Sequence, residues 1–301
     1  MHKVKMLSKK VHILEKEVRI LNMTMWQHTK DNGENQSVKL LKETVLKNEL
    51  GLKKLTNFIN SRFPTNKLGS YQHPGRSCSD IKKWSNETSL VDGEYWISLG
   101  RSKTMKTFCD MKSNGGGWTL VSSIVLQNSH GFDWSVTKDY NKISDFRGNK
   151  LVLSTQALGA LRQQMPFKQL RFFCRKKIPG RTFDIATETN TLGENVIKYF
   201  TAKTNTLPKS CGSYYRLSDD NSVMAKDCQN WGYEAGKYIR GKWHHAGMPV
   251  DDRLYNHPAF SYLKGLWFVS HSARGRWECD DFYRHKGYIR SAGDFWKIFV
   301  R

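Results

Sequence analysis

Three stretches carry the residues best suited to chemistry. Trp243-His244-His245-Ala246-Gly247 sets two imidazoles side by side. Together with Asp251-Asp252 they can be drawn as a hydrolytic site, although nothing in the spacing demands one. The plain alternative is two partly exposed histidines in a loop. Leu217-Ser218-Asp219-Asp220-Asn221-Ser222 is acidic, with Asp227, Asp251, Asp252, Asp280 and Asp281 elsewhere. Calcium asks for about six to eight oxygen ligands. Asp219, Asp220 and Asn221 can supply some, but adjacent side chains need not converge, and on residue type alone they read as solvated loop acids. Arg274-Gly275-Arg276-Trp277 offers phosphate contact and stacking. Its basic neighbours are dispersed along the chain, and no nucleic-acid motif accompanies them. GxSxG, HExxH and P-loop strings are absent, so the chain reads as a non-enzyme with no nucleic-acid partner.

Composition narrows the class further. The 301 residues suffice for one large domain plus an extension. Ten Trp, twelve Tyr and fifteen Phe supply apolar area for a core. The formal charge of +22 and a pI near 9.7 favour polyanionic partners such as sulfated glycans, anionic lipid or acidic matrix proteins. No apolar run reaches the ~18 residues of a membrane span. The six cysteines, Cys78, Cys109, Cys174, Cys211, Cys228 and Cys279, are even in number and make no CxxC pair. That pattern argues against a zinc ribbon and for disulfides in an oxidising compartment. Sequons at Asn22, Asn35 and Asn86 point the same way. A secreted protein needs a signal peptide, and Met1-His2-Lys3-Val4-Lys5-Met6 has no apolar core. The expectation is an incomplete start; a cytosolic protein with reduced cysteines is the alternative.

The elements that must hold these residues follow in order. Val4, Leu7, Val11, Leu14, Val18, Leu21 and Met25 form a heptad with branched residues at a and leucine at d, the pattern of a parallel dimer, with a trimer left open. A single amphipathic helix lying on the domain is the simpler alternative. The period restarts one residue out of phase at Val38, Leu41, Val45, Leu52, Leu55 and Ile59, with Asn48 at an inward position. Residues 1–59 are therefore expected as a coiled-coil stalk through which the chain self-associates. Residues 60–77, with Pro64, Gly69, Pro74 and Gly75, read as a linker. Residues 78–301 read as one α+β domain. Residues 79–84 suit a short helix, and 94–99, 104–111 and 118–125 suit antiparallel strands around the glycine turn Gly115-Gly116-Gly117. Ser154 precedes a helix over 156–165 stopped by Pro166. Strands are expected at 170–175, 182–187, 195–201, 263–270 and 294–301. Between 208 and 265 the periodicity fades, and long irregular segments of this kind often carry a binding surface.

One string is specific enough to name a family. Gly93-Glu94-Tyr95-Trp96-Ile97, Thr107-Phe108-Cys109-Asp110-Met111 and Gly115-Gly116-Gly117-Trp118-Thr119-Leu120-Val121 resemble the opening of fibrinogen C-terminal-like domains, a family that includes ficolin-type lectins and, more distantly, intelectins. The ending Gly293-Asp294-Phe295-Trp296-Lys297-Ile298-Phe299-Val300-Arg301 resembles its last strand. With Trp277-Glu278-Cys279-Asp280-Asp281, this ending looks most like secreted cnidarian fibrinogen-related proteins, some of them from skeletal organic matrices. The resemblance implies a first disulfide Cys78–Cys109. Cys211–Cys228 is then a local loop closure, and Cys174–Cys279 remains. It implies that Trp243, His244, His245, Ala246 and Gly247 border a pocket for an acetylated sugar or a peptide end, read by stacking and hydrogen bonds. His244 stands where the family has cysteine. It also implies a calcium loop, for which Asp219, Asp220 and Asn221 are the candidates, although the family's spacing is not reproduced. The resulting expectation is a secreted, non-enzymatic glycan-binding protein made multivalent by its stalk. Its alternative is an adhesive extracellular-matrix component held to anionic polymers by charge.

Overall fold

The computed structural model describes residues 11, 13–24, 27, 36–62, 67–85, 90–100, 103–129, 133–262, 264–269, 276–281 and 290–301. Val4, Leu7, Met25, Asn35, Pro64, Asn86, Arg274, Gly275 and the side chain of Ile59 lie outside them. Two compact units result, Met1–Asn66 and Lys67–Arg301.

In the first unit, residues 13–24 are helical (α1) and Gln36–Arg62 form α2. The Asn22 side-chain amide donates to Glu49 Oε2 at 3.4 Å, so α1 lies against α2. Val11 and Val45 are buried, whereas Leu14, Leu21, Leu41 and Leu55 of the two heptads are 40–53% exposed within one chain. Asn48 is exposed as well.

The second unit begins at Lys67, so residues 67–77 belong to the globule and are not a linker. The Trp96 N–H donates to the Gly69 carbonyl (2.7 Å), and the Gly75 carbonyl accepts from Ser98 (2.8 Å). Close approach explains the glycines: a Cβ on Gly75 would lie 2.4 Å from the Ile81 side chain. Ser77 then caps α3, Cys78–Trp84, its Oγ accepting from the Asp80 N–H.

A meander follows: β1, Gly93–Leu99; β2, Lys103–Asp110; and β3, Trp118–Val125. The turn between β2 and β3 needs its glycines. All three have positive φ, and a Cβ on Gly116 would sit 1.9 Å from the Met111 carbonyl oxygen. β4, Ser135–Thr137, pairs in parallel with β5, Lys150–Leu153. Ser154 caps α4, Thr155–Gln164, with its Oγ accepting from the Ala157 N–H. β6, Leu170–Lys176, and β7, Arg181–Thr187, form the next hairpin.

Residues 195–201, expected as a strand, are helical: α5 spans Thr191–Phe200. The branched pair Val196-Ile197 reads as β on propensity alone. The Asn190 side chain nevertheless caps the Gly193 N–H (3.0 Å), and Val196, Ile197 and Phe200 bury one helical face. Burial of that face outweighs the local preference.

β8, Tyr214–Arg216, ends the large sheet. β9, Asn256–Ser261, β10, Gly265–Val269, and β11, Trp277–Asp281, make a small sheet in the order β11-β10-β9. The last strand, β12, Phe295–Val300, inserts between β3 and β6, giving the order β1-β2-β3-β12-β6-β7-β8. The fold is thus α+β, and the strands named here pair antiparallel except β4 with β5.

The core that positions the site is aromatic. Phe172 on β6 packs 5.2–5.5 Å, ring to ring, from Phe200, Trp243 and Trp267. Three disulfides brace it. Cys78–Cys109 ties α3 to β2, Cys174–Cys279 ties the large sheet to the small one, and Cys211–Cys228 closes the loop beside the site. Lys176 reinforces the sheet-to-sheet joint, donating to the Trp277 carbonyl (2.9 Å) and to Asp281 (2.6 Å).

Candidate ligand-binding site

The irregular segment between β8 and β10 is held by buried indoles. Trp231 donates its ring N–H to the Met224 carbonyl (2.8 Å), and Tyr214 stacks on it at 4.9 Å. Trp243 donates to Ser213 Oγ (2.8 Å) and lies edge-on to Trp231. Backbone bonds lace residues 242–246 to three other segments. Lys242 donates to the Trp231 carbonyl, Trp243 to Pro208, His244 to Pro258, and Ala246 to Tyr233.

This lacing carries the 243–247 turn to the edge of a cavity of about 540 Å³. His245, Ala246 and Gly247 line it, as do Tyr199 from α5, Glu234 and Arg253. Trp243 and His244 do not. Trp243 is fully buried and serves as a core ring beneath the turn. His244 is fully buried too, at φ 66°, with Nδ1 2.5 Å from the Tyr199 hydroxyl. Burial, and secondarily the Arg253 charge, pushes its pKa down to about 3, so it is neutral at physiological pH. His244 therefore packs under the cavity as a neutral support for Tyr199. The hydrolytic drawing also dissolves. Asp251 pairs with Lys138 at 3.2 Å, and Asp252 accepts from the Tyr255 hydroxyl.

His245 is the histidine at the rim. Its Nδ1 lies 2.6 Å from the Ala246 carbonyl oxygen, which can only accept, so Nδ1 is the donor in that bond. Its ring stacks on Tyr233 at 4.2 Å. Tyr233 packs 4.7 Å from Tyr238, and Tyr238 stacks on Tyr262 at 4.2 Å. Tyr238 and Tyr262 are 41% and 44% exposed. An aromatic shelf thus runs outward from the cavity. Sequence reading missed both this shelf and Arg253. The only signal available was the density of Tyr around 233–262.

The acidic candidates do not converge on a cation. Asp220 is buried and spends its oxygens on the Asp184 N–H (3.0 Å), the Ser222 hydroxyl (2.7 Å) and Arg216 (2.5 Å). Asn221 bridges backbone, accepting from Thr182 and donating to Gly180. Asp219 is exposed. These residues staple the β7–β8 edge, and among the described residues no group of three or more His, Cys, Asp or Glu is placed to hold a metal ion. Nor is any described helix long and apolar enough to cross a membrane.

Residues 74–171 match the family described as fibrinogen beta and gamma chains, C-terminal globular domain. The stretch runs from just before α3 to the start of β6, and domains of that family are non-catalytic. The cavity residues lie beyond it. Among solved structures, the chain is similar to the fibrinogen-like globe domains of human ANGPTL2 (18% identity, 76% of this chain and 99% of that one, TM-score 0.35) and human ANGPTL6 (15%, 76% and 95%, 0.33). It is also similar to lamprey fibrin D-dimer complexed with the peptide Gly-His-Arg-Pro-amide (12%, 97% and 94%, 0.32).

Proposed function

We propose that this is a secreted, non-enzymatic recognition protein whose globular unit captures a glycan in the cavity edged by His245-Ala246-Gly247. The observation that carries the reading is the coincidence of that turn with a cavity of about 540 Å³, large enough for a sugar ring. The polar set fits a polyol: an imidazole, a carboxylate and cationic N–H groups, beside aromatic rings for the sugar's apolar face. The paired cysteines fit an oxidising, extracellular setting. The exposed heptad leucines of Met1–Asn66 fit self-association, which multiplies weak sites into avidity. Sequons at Asn22, Asn35 and Asn86 would carry glycans in that setting.

The charge of +22 favours a second reading, an adhesive matrix component binding anionic polymers broadly, of the kind found in skeletal organic matrices. A glycan array read at low and high ionic strength separates the two. Recognition in the cavity gives defined hits that persist in salt and vanish in Ala246→Trp, whereas charge-driven adhesion gives broad polyanion binding that weakens steeply as salt rises. No glycan bound at any salt concentration ends the recognition reading.

A further inference from the structure

Arg253 lines the cavity, yet it is only 3% exposed. Its Nη1 donates to the carbonyls of Tyr199 (2.8 Å) and Thr204 (3.0 Å), and its Nη2 to Asn205 Oδ1 (2.6 Å). The guanidinium lies 4.0 Å from the centre of the Tyr199 ring. Every partner is neutral, and among the described residues Nε–H has no acceptor. Carbonyl dipoles and an aromatic face solvate a cation without cancelling its charge. A buried charge without a counter-ion is costly and makes a strong local field.

The neighbouring groups leave that field standing. Lys242 lines the same cavity and donates to the Leu207 carbonyl at 3.3 Å, not to a carboxylate. Asp251 and Asp252, next to Arg253 in the chain, are engaged by Lys138 and Tyr255. Glu234 is the acidic residue that lines the cavity, half-buried on its wall. Two cations and one carboxylate therefore face one space, and from it the His245–Tyr233 stack leads outward to a second stack, Tyr238–Tyr262, tilted against the first.

We propose that the cavity selects an acidic saccharide, taking the carboxylate of a uronate-type sugar beside Arg253 and Lys242, its hydroxyls on Glu234 and its ring face on the aromatic shelf. A sugar acid suits this set better than a peptide carboxylate, because Glu234 wants hydroxyl donors and the exposed rings of Tyr238 and Tyr262 suit a sugar's apolar face. The assignment rests on the recognition reading above and gives it a ligand class. It involves no covalent step.

Titration calorimetry on the full chain tests it with four probes: methyl glucuronide, its neutral amide, N-acetylglucosamine and a tetrapeptide with a free C-terminus. The uronate should bind at least about tenfold more tightly than its amide, since a charge-assisted pair replaces a neutral hydrogen bond. Lys242→Met should weaken the uronate by about tenfold and the amide by less, with the thermal unfolding midpoint followed alongside to separate lost binding from lost folding. Equal binding of acid and amide, or binding of the peptide alone, overturns the assignment. N-acetylglucosamine bound without the uronate overturns it while the recognition reading stands. No binding of any probe removes both.

Discussion

Arg171 and Arg253 are both buried, and they are built in opposite ways. Arg171, the second residue of β6, forks onto Asp184 through two 2.7 Å bonds and reaches Asp110 through a third. Three rings, of Trp118, Phe173 and Phe299, lie within 6 Å of its guanidinium. Burial pushes Asp110 up, but the Ser113 bonds and Arg171 more than reverse it and hold that carboxyl below its ordinary value. Arg253 has carbonyls, one ring and an idle N–H. The first cation is neutralised inside the sheet and can only hold strands together. The second is left electrostatically open beside a cavity, where a ligand can complete it. Burial alone does not separate a structural arginine from a binding one; the sign and number of its partners does.

The hardest test of that contrast is Arg171→Met. It strands Asp184 and Asp110 as buried carboxylates and should cost about 3–5 kcal/mol of stability in urea unfolding. Arg253→Met leaves only neutral carbonyls unpaired and should cost about 1–3 kcal/mol while abolishing uronate binding. Equal losses from the two substitutions would break the comparison.

Glu278 extends it to a carboxylate. The side chain is fully buried, Arg276 donates to Oε1 at 2.9 Å, and Oε2 has no partner among the described residues. Burial outweighs Arg276 and raises its pKa to about 7. The unfolded state loses this proton near its ordinary value of 4.5, so the group lowers stability as pH rises from there to about 7. Glu278→Gln should therefore gain on the order of 1–2 kcal/mol at pH 8 and nothing at pH 4, measured by chemical denaturation at both.

The smallest effect concerns His244. With a folded pKa near 3, it stays neutral while the unfolded chain takes up a proton below about 6.5, so stability falls as pH drops from 6.5 toward 3. Between pH 6.5 and 5.5 the loss from His244 should be about 1 kcal/mol, and His244→Gln should remove it. Arg253→Met should raise the His244 pKa in an NMR titration. An unmoved value would show that the Arg253 charge is not felt at the cavity floor.

Much of the scaffold is legible from residue order. The glycine triplet before Trp118, the Ser154 cap and the β-type run of aromatic and branched residues at 118–121 are local rules, and local rules survive folding because their partners lie within a few residues. The failures share a cause. Residues 195–201 carry strand propensity but fold as helix because one face meets the core. Residues 67–77 carry linker composition but dock on β1 through backbone bonds that composition does not encode. At the candidate site, the 243–247 string is legible as a turn rich in histidine, and only the fold shows that His245 lines the cavity while His244 turns under it.

By itself, then, the amino-acid order determined the first three strands around the glycine turn, the Ser154-capped helix, the β6–β7 pair and the charge, and it carries the stretch 74–171 that matches a family. The tertiary structure alone decided the cavity. Its lining is drawn from α5, the 205–207 turn, the 234–248 loop and Arg253, segments with no common period or spacing. Whether a buried charge is cancelled or left open depends on which carboxylates arrive beside it, and that is settled by chain crossings many residues apart.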